Sequence, residues 1–477
     1  MNISSTNSFF DVAIIGGGFT GSTLAVRLLR DSAPDLSVVL IDRGHAVARG
    51  VAYGTQFGWH LLNVPAANMS ALPEDPDHFL RWAQENHDSG VEPESFVARR
   101  VYGQYLESLL RDATSKNHHR FEVRHDHVIA LEGTAEAGQI HLRSGETIEA
   151  RKVVLALGNF PPADPALPQR QEGSPRYHSL AWLHSAVSNV DEEREILLLG
   201  TGLTAVDTAL ALRARGFVGV IHLLSRRGLL PRQHKSARTW PPFWDENSPR
   251  TTRGLLRLIR NQVNRALEQG IEWRAVFDSL RPFTSQIWQS LPPEEKRRFL
   301  RHARPYWEIH RHRVAPDIAG IIAHQLVNQQ LQVHAGRVLS YNEDADGVTV
   351  TYRDRRTQAQ RGLVVDRIIN CTGPETDCRK MDDPLLISLR AQGLIRPDPL
   401  FIGLDADDSG ALINSAGMPS HFLYTLGPAR KGQLWETTAV PEIREQVAEL
   451  AKLLNDELAP PRTGTLKFGD LPQEVQL

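Results

Sequence analysis

Cysteine is nearly absent from this chain: Cys371 and Cys378 are the only two among 477 residues. Two thiols cannot form a disulfide framework, and their separation differs from the CxxC or CxxxxC spacing of redox-active disulfides. We therefore expect two reduced thiols, as in proteins of the cytosol, and no thiol–disulfide activity.

The chain also lacks a long apolar run and an excess of charge of either sign. No stretch of eighteen apolar residues occurs, and the polar segment 1–10 has neither a basic start nor a long apolar core. These absences argue against a membrane span and a secretory signal. The formal net charge of -2 gives no support for nucleic-acid binding. We therefore predict a cytoplasmic protein that binds neither membranes nor nucleic acids.

Clusters of metal ligands are missing as well. His310 and His312 lie in a basic string that has no carboxylates at ligand spacing. The sequence thus predicts no metal site and argues against a metal-dependent hydrolase.

The strongest feature that the chain does contain is a glycine-rich turn between two apolar segments. Segment 12–15 predicts a buried strand, the turn 16–21 reads Gly-Gly-Gly-Phe-Thr-Gly, and a second strand over 37–41 ends at Asp42. In a GxGxxG turn the first glycine permits the bend, the second lets the backbone approach a pyrophosphate, and the third lets helix and strand pack closely. A carboxylate about twenty residues later can accept hydrogen bonds from ribose hydroxyls. The nucleotide-binding residues predicted here are Gly16, Gly18, Phe19, Thr20, Gly21, Asp42 and Arg43.

The same pattern occurs a second time. A strand over 196–199 leads into the turn 200–205, Gly-Thr-Gly-Leu-Thr-Ala, and the next strand, 220–224, ends at Ser-Arg-Arg instead of an acid. A carboxylate would repel a 2′-phosphate, whereas a guanidinium group binds it through two hydrogen bonds. This favours NADPH over NADH; the alternative is that the two arginines form a solvated turn. The residues predicted for this second site are Gly200, Gly202, Leu203, Thr204, Ala205, Arg226 and Arg227.

The residues of the first turn are compatible with either FAD or NAD. We favour FAD because the motif opens the chain and a second nucleotide unit follows, which is the usual order in flavoproteins with two such units. This step is an analogy between folds. The predicted cofactors are therefore FAD and NADPH.

Two units of this kind imply an α/β fold with two Rossmann-like dinucleotide-binding domains. Two further strands each meet a glycine, Gly158 and Gly373, and we expect these candidate cofactor contacts to mark the crossings between a split FAD domain and an inserted NADP domain. A stretch with five tryptophans and many arginines interrupts the second unit and predicts a helical insertion or cap. The expected boundaries are 1–165 for the first part of the FAD domain, 190–235 with 317–365 for the NADPH domain, 236–316 for the insertion, and 366–477 for the return part of the FAD domain.

Longer stretches extend the pattern over nearly the whole chain. Segments 50–55 (Gly-Val-Ala-Tyr-Gly-Thr), 60–66 (His-Leu-Leu-Asn-Val-Pro-Ala), 100–106, 307–316 and 435–441 resemble the bacterial FAD/NAD(P)-binding proteins related to the class B, N-hydroxylating flavin monooxygenases. The Baeyer–Villiger signature (Phe-x-Gly, three residues, His, then Trp-Pro) is absent, which argues against a ketone substrate. The resemblance implies flavin or adenine contacts at His60, Leu62, Asn63, Val128, Gly158, Gly427 and a helix start near Leu434.

The resemblance also implies an activity. It indicates an FAD-dependent, NADPH-using monooxygenase that acts on a small nucleophilic substrate, an amine or amino acid, through a flavin C4a-hydroperoxide. Some relatives convert aspartate into nitrosuccinate. The alternatives are an FAD/NAD(P)H oxidoreductase without oxygen insertion and a nucleotide-sensing protein without turnover. The expected partners are a small-molecule substrate and O₂, and a homo-oligomer is compatible with the sequence.

Candidates for contact with the reacting groups are asparagines and two arginines. The amides of Asn63, Asn159 and Asn414 could bind the nicotinamide or the reacting oxygen, or they could be ordinary loop asparagines. Arg311 and Arg313 could bind a substrate carboxylate, or they could pair with local acids. The insertion is expected to form part of the substrate pocket, with a helical brace or dimer surface as the alternative.

Overall fold

The computed structural model describes residues 8–133, 137–165, 167–170, 173–190 and 194–459. Within these ranges the strands form two sheets, one of eight strands and one of seven. The α/β fold class and the two Rossmann-like units predicted from the sequence are confirmed. None of the helices in the described ranges is long and apolar enough to cross a membrane.

The first sheet contains the first glycine turn. Residues 12–15 and 38–41 are almost fully buried, as expected for parallel strands that are covered on both faces. The elements of this part are the strands β1 (Ser8–Ile15), β2 (Val38–Asp42), β3 (Phe121–His125), β4 (Val128–Gly133), β5 (Gly138–Leu142) and β6 (Thr147–Leu155), with the helices α1 (Phe19–Asp31), α2 (Gly50–Tyr53), α3 (His78–Asn86) and α4 (Arg99–Ser115).

The second sheet contains the second glycine turn and carries the insertion. Its strands are β7 (Tyr177–His178), β8 (Glu195–Leu199), β9 (Val220–Ser225), β10 (Leu331–Glu343), β11 (Val348–Asp354), β12 (Gln360–Val365) and β13 (Arg367–Asn370). The helices of this region are α5 (His184–Val187), α6 (Leu203–Ala214), α7 (Thr252–Glu268), α8 (Trp273–Ser279), α9 (Thr284–Ser290), α10 (Pro293–Arg298), α11 (Arg304–Arg311) and α12 (Pro316–Val327).

The chain then returns to the first sheet. Its last described elements are α13 (Pro384–Ala391), β14 (Ala411–Ile413), β15 (Pro419–Thr425), α14 (Lys431–Leu434) and α15 (Val440–Leu458). The order of the first sheet is β14–β15–β6–β1–β2–β3, and the four pairs from β15 to β3 are parallel. Helix α15 packs on α1, where Ile443, Val447 and Leu450 join Leu24 and Leu28 in one buried cluster.

One predicted boundary differs from the structure. The strand Arg367–Asn370 was expected to open the return part of the FAD domain, but β13 lies in the second sheet between β8 and β7. Its two isoleucines, Ile368 and Ile369, are fully buried there, which fixes the strand in this sheet. We therefore propose that the second domain, with its insertion, covers about 177–370.

A buried ion pair joins the two nucleotide-binding units. Arg99, at the start of α4, donates from Nη1 to the Oδ2 of Asp207 in α6 at 2.8 Å, and both residues are less than a tenth exposed. His60 donates from Nε2 to the main-chain oxygen of Asp207 at 2.9 Å. Burial lowers the pKa of His60 although Asp207 opposes this shift, so the imidazole is neutral at pH 7. These contacts hold helix α6 against the first unit.

We expect Asp207→Ala to lower the free energy of unfolding by about 3 kcal/mol, because it leaves the guanidinium of Arg99 buried without its partner. Urea denaturation followed by circular dichroism measures the change. Asp31→Ala is the matched control, since it removes a carboxylate of the more exposed pair Arg27–Asp31 and should cost less than about 1 kcal/mol. Equal losses in the two variants would contradict a structural role for the Arg99–Asp207 pair.

Candidate nucleotide and substrate site

Parallel strands bring the predicted residues of the first site to one edge of the first sheet. Gly16 follows β1, Asp42 ends β2, Gly158 follows β6 and Gly427 follows β15. Because these strands are parallel, their carboxyl ends meet, which is where open α/β sheets bind nucleotides. Val128 begins β4 just after β3, whose last residue, His125, is aligned with Asp42.

The three glycines of the first turn differ in what surrounds them. Gly16 has φ +107°, and a Cβ there would lie 2.3 Å from the main-chain oxygen of Ala156, at the end of β6. A Cβ on Gly21 would lie 1.9 Å from the oxygen of Gly16. A Cβ on Gly18, in contrast, would have Gly50 Cα at 3.7 Å as its nearest neighbour. The fold itself therefore requires Gly16 and Gly21, whereas Gly18 leaves free space where a pyrophosphate can approach the backbone.

The second turn repeats this arrangement. Gly200 has φ +129°, and its Cβ would lie 2.3 Å from the main-chain oxygen of Cys371, just beyond β13. A Cβ on Gly202 would meet nothing within 4 Å, and Gly202 is exposed. Ala205 takes the third position and is fully buried. Both turns thus fit a dinucleotide, and Gly373, two residues after Cys371, occupies the place that Gly158 has in the first unit. Leu203 and Thr204 form the partly buried first turn of α6.

Asp42 is held against the first turn. Its Oδ2 accepts from Gly17 N at 2.5 Å, and its Oδ1 accepts from Gly44 N at 2.7 Å. A carboxylate oxygen has a second lone pair, so Asp42 is still able to accept from ribose hydroxyls. The neighbouring Arg43 is exposed. At the start of α1, Phe19 is buried and its ring packs against Tyr53, so this side chain belongs to the core.

The two arginines after β9 have different surroundings. Arg226 is exposed, and its side chain has no hydrogen-bond or ion-pair partner among the described residues. Arg227 instead donates to the main-chain oxygens of His302 and Arg301 at 3.3 and 3.4 Å, and its guanidinium lies 5.0 Å from the ring of Tyr306. Arg226 is therefore the better candidate for a 2′-phosphate ligand, whereas Arg227 contacts the insertion.

The turn after β15 is fixed by two buried side chains that the sequence analysis did not single out. Gly427 N donates to the Oε1 of Gln446 at 3.1 Å, and Thr437 Oγ1 donates to the oxygen of Gly427 at 2.8 Å. A Cβ on Gly427 would lie 3.2 Å from the Oγ1 of Thr20, so the turn also touches the start of α1. The segment 435–441 was matched only through the family resemblance, and the network that it forms with Gln446 has no sequence signature.

The predicted helix start near Leu434 is wrong. Leu434 is the last residue of α14, which ends because Trp435 adopts φ +63°. The next helix, α15, begins at Val440 with Pro441 in its first turn, where a missing backbone N–H costs nothing. Leu434 therefore offers a helix end at this place, and its main-chain oxygen accepts from Ser285 Oγ at 3.1 Å.

The candidate asparagines and the segment around His60 have distinct environments. Asn159, beside Gly158, lines an apolar cleft with Pro428 and Ala429. Asn63 is partly buried, and its main-chain oxygen accepts from the Nε2 of His234 at 2.9 Å. Asn414 Oδ1 accepts from two backbone N–H groups in the β14–β15 turn, which supports the reading of Asn414 as an ordinary turn residue. Leu62, next to Asn63, is buried, and its backbone N–H donates to Val97.

Arg311 and Arg313 both pair with acids, which was the alternative to a substrate-binding role. Arg313 donates to both oxygens of Asp278, at 2.6 and 3.1 Å. Arg311 donates from Nη2 to Glu442 Oε1 at 2.7 Å, and its Nε lies 3.9 Å from Glu436. Burial alone would raise the pKa of Glu436, but the charges of His312 and Arg311 outweigh it and lower this pKa well below its ordinary value.

The insertion covers the return part of the chain at this point. Trp288 donates from Nε1 to the oxygen of Gly432 at 2.8 Å, and its ring stacks on Trp435 with 4.9 Å between centroids. Trp307 donates to Glu436 Oε1 at 2.7 Å. Residues of the insertion thus lie beside the turn after β15. Across the described ranges, no cluster of three or more His, Cys, Asp or Glu side chains could hold a metal ion.

We expect Gly18→Ala to impair FAD binding and Gly202→Ala to impair NADPH binding. Both positions have negative φ and room for a methyl group, so the variants should fold, but the methyl would stand where a phosphate approaches. Wild-type protein should be yellow and release FAD, not FMN, on denaturation. Gly18→Ala should be nearly colourless, and Gly202→Ala should keep FAD and lose NADPH binding by tenfold or more, roughly 1.4 kcal/mol. Unchanged flavin content and NADPH affinity would place the cofactors elsewhere.

Single substitutions should distinguish the two arginines after β9. Arg226→Ala should weaken binding of 2′,5′-ADP by about 1.5–3 kcal/mol and leave NADH binding unchanged, because it removes charge-assisted contacts to the 2′-phosphate. Arg227→Ala should mainly lower the thermal midpoint, since Arg227 contacts the insertion. Isothermal titration calorimetry and thermal unfolding give the two readouts. Equal loss of NADH and 2′,5′-ADP binding in Arg226→Ala would contradict the assignment.

Comparison with known proteins supports this arrangement. Residues 13–160 match the sequence profile of a family described as FAD-NAD(P)-binding. An FAD-dependent monooxygenase from Fusarium langsethiae is 25% identical over 172 residues, which cover 36% of this chain and only 28% of that protein. The chain thus spans less than a third of the length of this relative.

Two solved structures resemble the whole described fold. The ornithine N-hydroxylase of Kutzneria sp. 744, with reduced FAD, NADP⁺ and L-ornithine, has a TM-score of 0.65 at 18% identity and covers 94% of this chain and 99% of its own. The cadaverine monooxygenase of Erwinia amylovora, bound to FAD, has a TM-score of 0.65 at 14% identity, with 99% and 100% covered. Residues 13–160 therefore form an FAD/NAD(P)-binding domain, and the chain as a whole has the fold of the flavin-dependent N-hydroxylating monooxygenases.

Proposed function

We propose that this protein is an FAD-dependent, NADPH-using monooxygenase that oxygenates a small amine-bearing substrate. The proposal depends on the presence of two matching glycine turns in one chain, each at an edge of its sheet. In each turn the second glycine leaves free space beside the backbone, and the insertion covers the edge of the first sheet. For an amine, the balanced reaction is R-NH₂ + O₂ + NADPH + H⁺ → R-NHOH + NADP⁺ + H₂O.

The two nucleotides have separate binding residues in this proposal. Gly18 and Asp42 receive the pyrophosphate and ribose of FAD, while Gly202 and Arg226 receive the pyrophosphate and 2′-phosphate of NADPH. When bound, the flavin would accept hydride from NADPH and activate O₂ for transfer of one oxygen atom. The ion pair of Arg99 with Asp207 holds the second unit in place relative to the first.

Near the substrate, the side chains of the protein shape the site and exclude water from it. Trp288 and Trp435 stack between the insertion and the return part, and Trp307 fixes Glu436. Such a wall limits the access of water to the reacting groups, which in a monooxygenase suppresses release of peroxide. The insertion therefore forms one side of the proposed substrate site and is not a helical brace remote from it.

Both solved structures described above are of enzymes that act on amines. One is an ornithine N-hydroxylase and the other a cadaverine monooxygenase. Both substrates present a primary amine on a short aliphatic chain. We extend this class, a small primary amine or amino acid, to the present chain.

We expect purified holoenzyme to oxidise NADPH faster in the presence of a suitable amine and to form one hydroxylamine for each NADPH consumed. NADPH absorbance, hydroxylamine by mass spectrometry and H₂O₂ by a peroxidase assay are followed together over a panel of amino acids and diamines. Gly202→Ala is the matched control, because it should retain FAD and lose the NADPH-dependent reaction. Rapid NADPH oxidation that yields only H₂O₂, or reduction of an added acceptor with every amine, would instead identify an oxidoreductase without oxygen insertion.

A further inference from the structure

Charge is distributed unevenly between the insertion and the rest of the chain. Residues 236–316 contain 15 lysines and arginines but only 8 aspartates and glutamates, which gives a formal net charge of +7. Because the whole chain has a formal net charge of -2, the remaining residues carry -9. The overall charge, which argues against binding to anionic surfaces, is the sum of these two opposite values. A strongly basic region is thus present in a chain that is nearly neutral overall.

Much of the excess positive charge belongs to unpaired arginines on the surface of the insertion. Eight exposed arginines of the insertion make no side-chain hydrogen bond or ion pair with any residue that the structure describes. Four of these lie on helix α7: Arg253, Arg257, Arg260 and Arg265. A fifth, Arg250, lies two residues before the helix. The basic region is therefore concentrated on and around α7.

Helix α7 arranges three of these arginines along one line. Positions three and four residues apart share a face of an α-helix, so Arg253, Arg257 and Arg260 lie on the same side. Leu256 and Leu267 lie on this side too, with 40% and 56% of their surfaces exposed. From Arg253 to Leu267 the line is about 21 Å long, and this part of α7 contains no acidic residue. We call these five residues the basic stripe.

The opposite side of α7 is fastened to the protein. Thr252 N donates to Glu295 Oε2 at 2.8 Å, which joins the start of α7 to α10. Near the other end, Ala266 is fully buried with Trp240 in one apolar cluster, and Trp240 Nε1 donates to Gln262 Oε1 at 3.2 Å. The basic stripe therefore faces solvent, and none of the described segments of the chain covers it.

The residue types of the stripe decide which kind of partner it fits. The centre of a protein–protein interface is apolar and depleted in charge, whereas cations predominate here and the two leucines are three helical turns apart. Nucleic acids are bound through their phosphates and by aromatic stacking, and need no exposed leucine. Arginine beside leucine is typical of helices at a lipid surface, where the cation binds anionic headgroups and the apolar side chain enters the interface.

We propose that the basic stripe of α7 binds an anionic lipid surface, so that the protein attaches reversibly to the face of a membrane without crossing it. Each arginine near such a surface strengthens the attachment by roughly a factor of five. The negative charge of the rest of the chain is repelled by the same surface, which turns the insertion toward the lipid. This inference is independent of the proposed oxygenation of an amine.

Sedimentation with vesicles tests the inference on the purified holoenzyme. One set of vesicles is pure phosphatidylcholine, and in the other about one lipid in three is phosphatidylserine. We expect the protein to sediment with the anionic vesicles only, and the bound fraction to fall as the salt concentration rises, because salt screens exposed charges. Absence of binding to the anionic vesicles at low salt, or equal binding to both sets, would overturn the inference.

Substitutions locate the binding surface. The triple variant Arg253→Gln, Arg257→Gln and Arg260→Gln should bind anionic vesicles more weakly by about tenfold or more. The matched control removes the same charge from three exposed arginines of the first domain that form no ion pair with described residues. These are Arg100, Arg111 and Arg143. The control variant should bind within about twofold of wild type, and equal losses in the two triple variants would contradict a role for the stripe.

A further variant separates lipid from other anionic partners. Leu256→Ser with Leu267→Ser should weaken vesicle binding by about fivefold, because less apolar surface enters the interface, and should leave any binding to a short DNA duplex unchanged. Tighter binding to the duplex than to anionic vesicles at the same salt concentration would identify a nucleic-acid surface and overturn the inference. Oligomers that the arginine triple variant converts to monomers, without vesicle binding by the wild type, would overturn it in favour of an interface between two copies.

The thermal midpoint and circular dichroism verify that each variant is folded. Should the arginine triple variant not fold, the three single substitutions decide. Each should then weaken vesicle binding by roughly a factor of five, and wild-type affinity in all three would refute the site.

Discussion

In each sheet, the edge that would bind a nucleotide depends on a backbone contact that only glycine permits. A Cβ at Gly16 would lie 2.3 Å from the main-chain oxygen of Ala156, and a Cβ at Gly200 would lie 2.3 Å from that of Cys371. In both sheets the glycine at the end of one strand therefore touches the end of the neighbouring parallel strand. This contact fixes the start of α1 and of α6, and with it the direction of the N–H groups that would receive a phosphate. Asp42 ends β2 and Arg226 directly follows β9, so both residues lie on these same edges of the two sheets.

The two nucleotide-binding units are held together by a buried ion pair as well as by close packing. Arg99 and Asp207 are both buried, and each would be expensive to leave without the other. His234 of the second domain also binds Asn63 of the first, and the insertion is tied to the second domain through Arg227 and to α15 through Arg311.

The parts of this architecture that could be predicted from the sequence are local in the chain. A strand, a glycine turn, a helix and a second strand lie within about thirty residues, so their pattern is legible without knowledge of the fold. Contacts between distant segments cannot be predicted in this way. Arg311 and Glu442 are separated by 131 positions, and nothing in either segment indicates that it pairs with the other. The sheet to which β13 belongs was misjudged for the same reason, since strand pairing is decided by burial in the assembled sheet. No helix begins at Leu434, because the backbone of Trp435 turns sharply there and ends α14, which the residue type of Trp435 does not predict.

The first sheet is completed by strands that are far apart in the chain. Helix α15 and strand β15 are synthesised after the second domain and the insertion, yet α15 covers α1, and β15 carries Gly427 to the first glycine turn. While the ribosome is still making the middle of the chain, the apolar face of α1 has no α15 to cover it, and the first nucleotide edge lacks one wall. The amino-terminal part therefore gains the cover of α15 and the wall formed by β15 only after the second domain and the insertion have been synthesised.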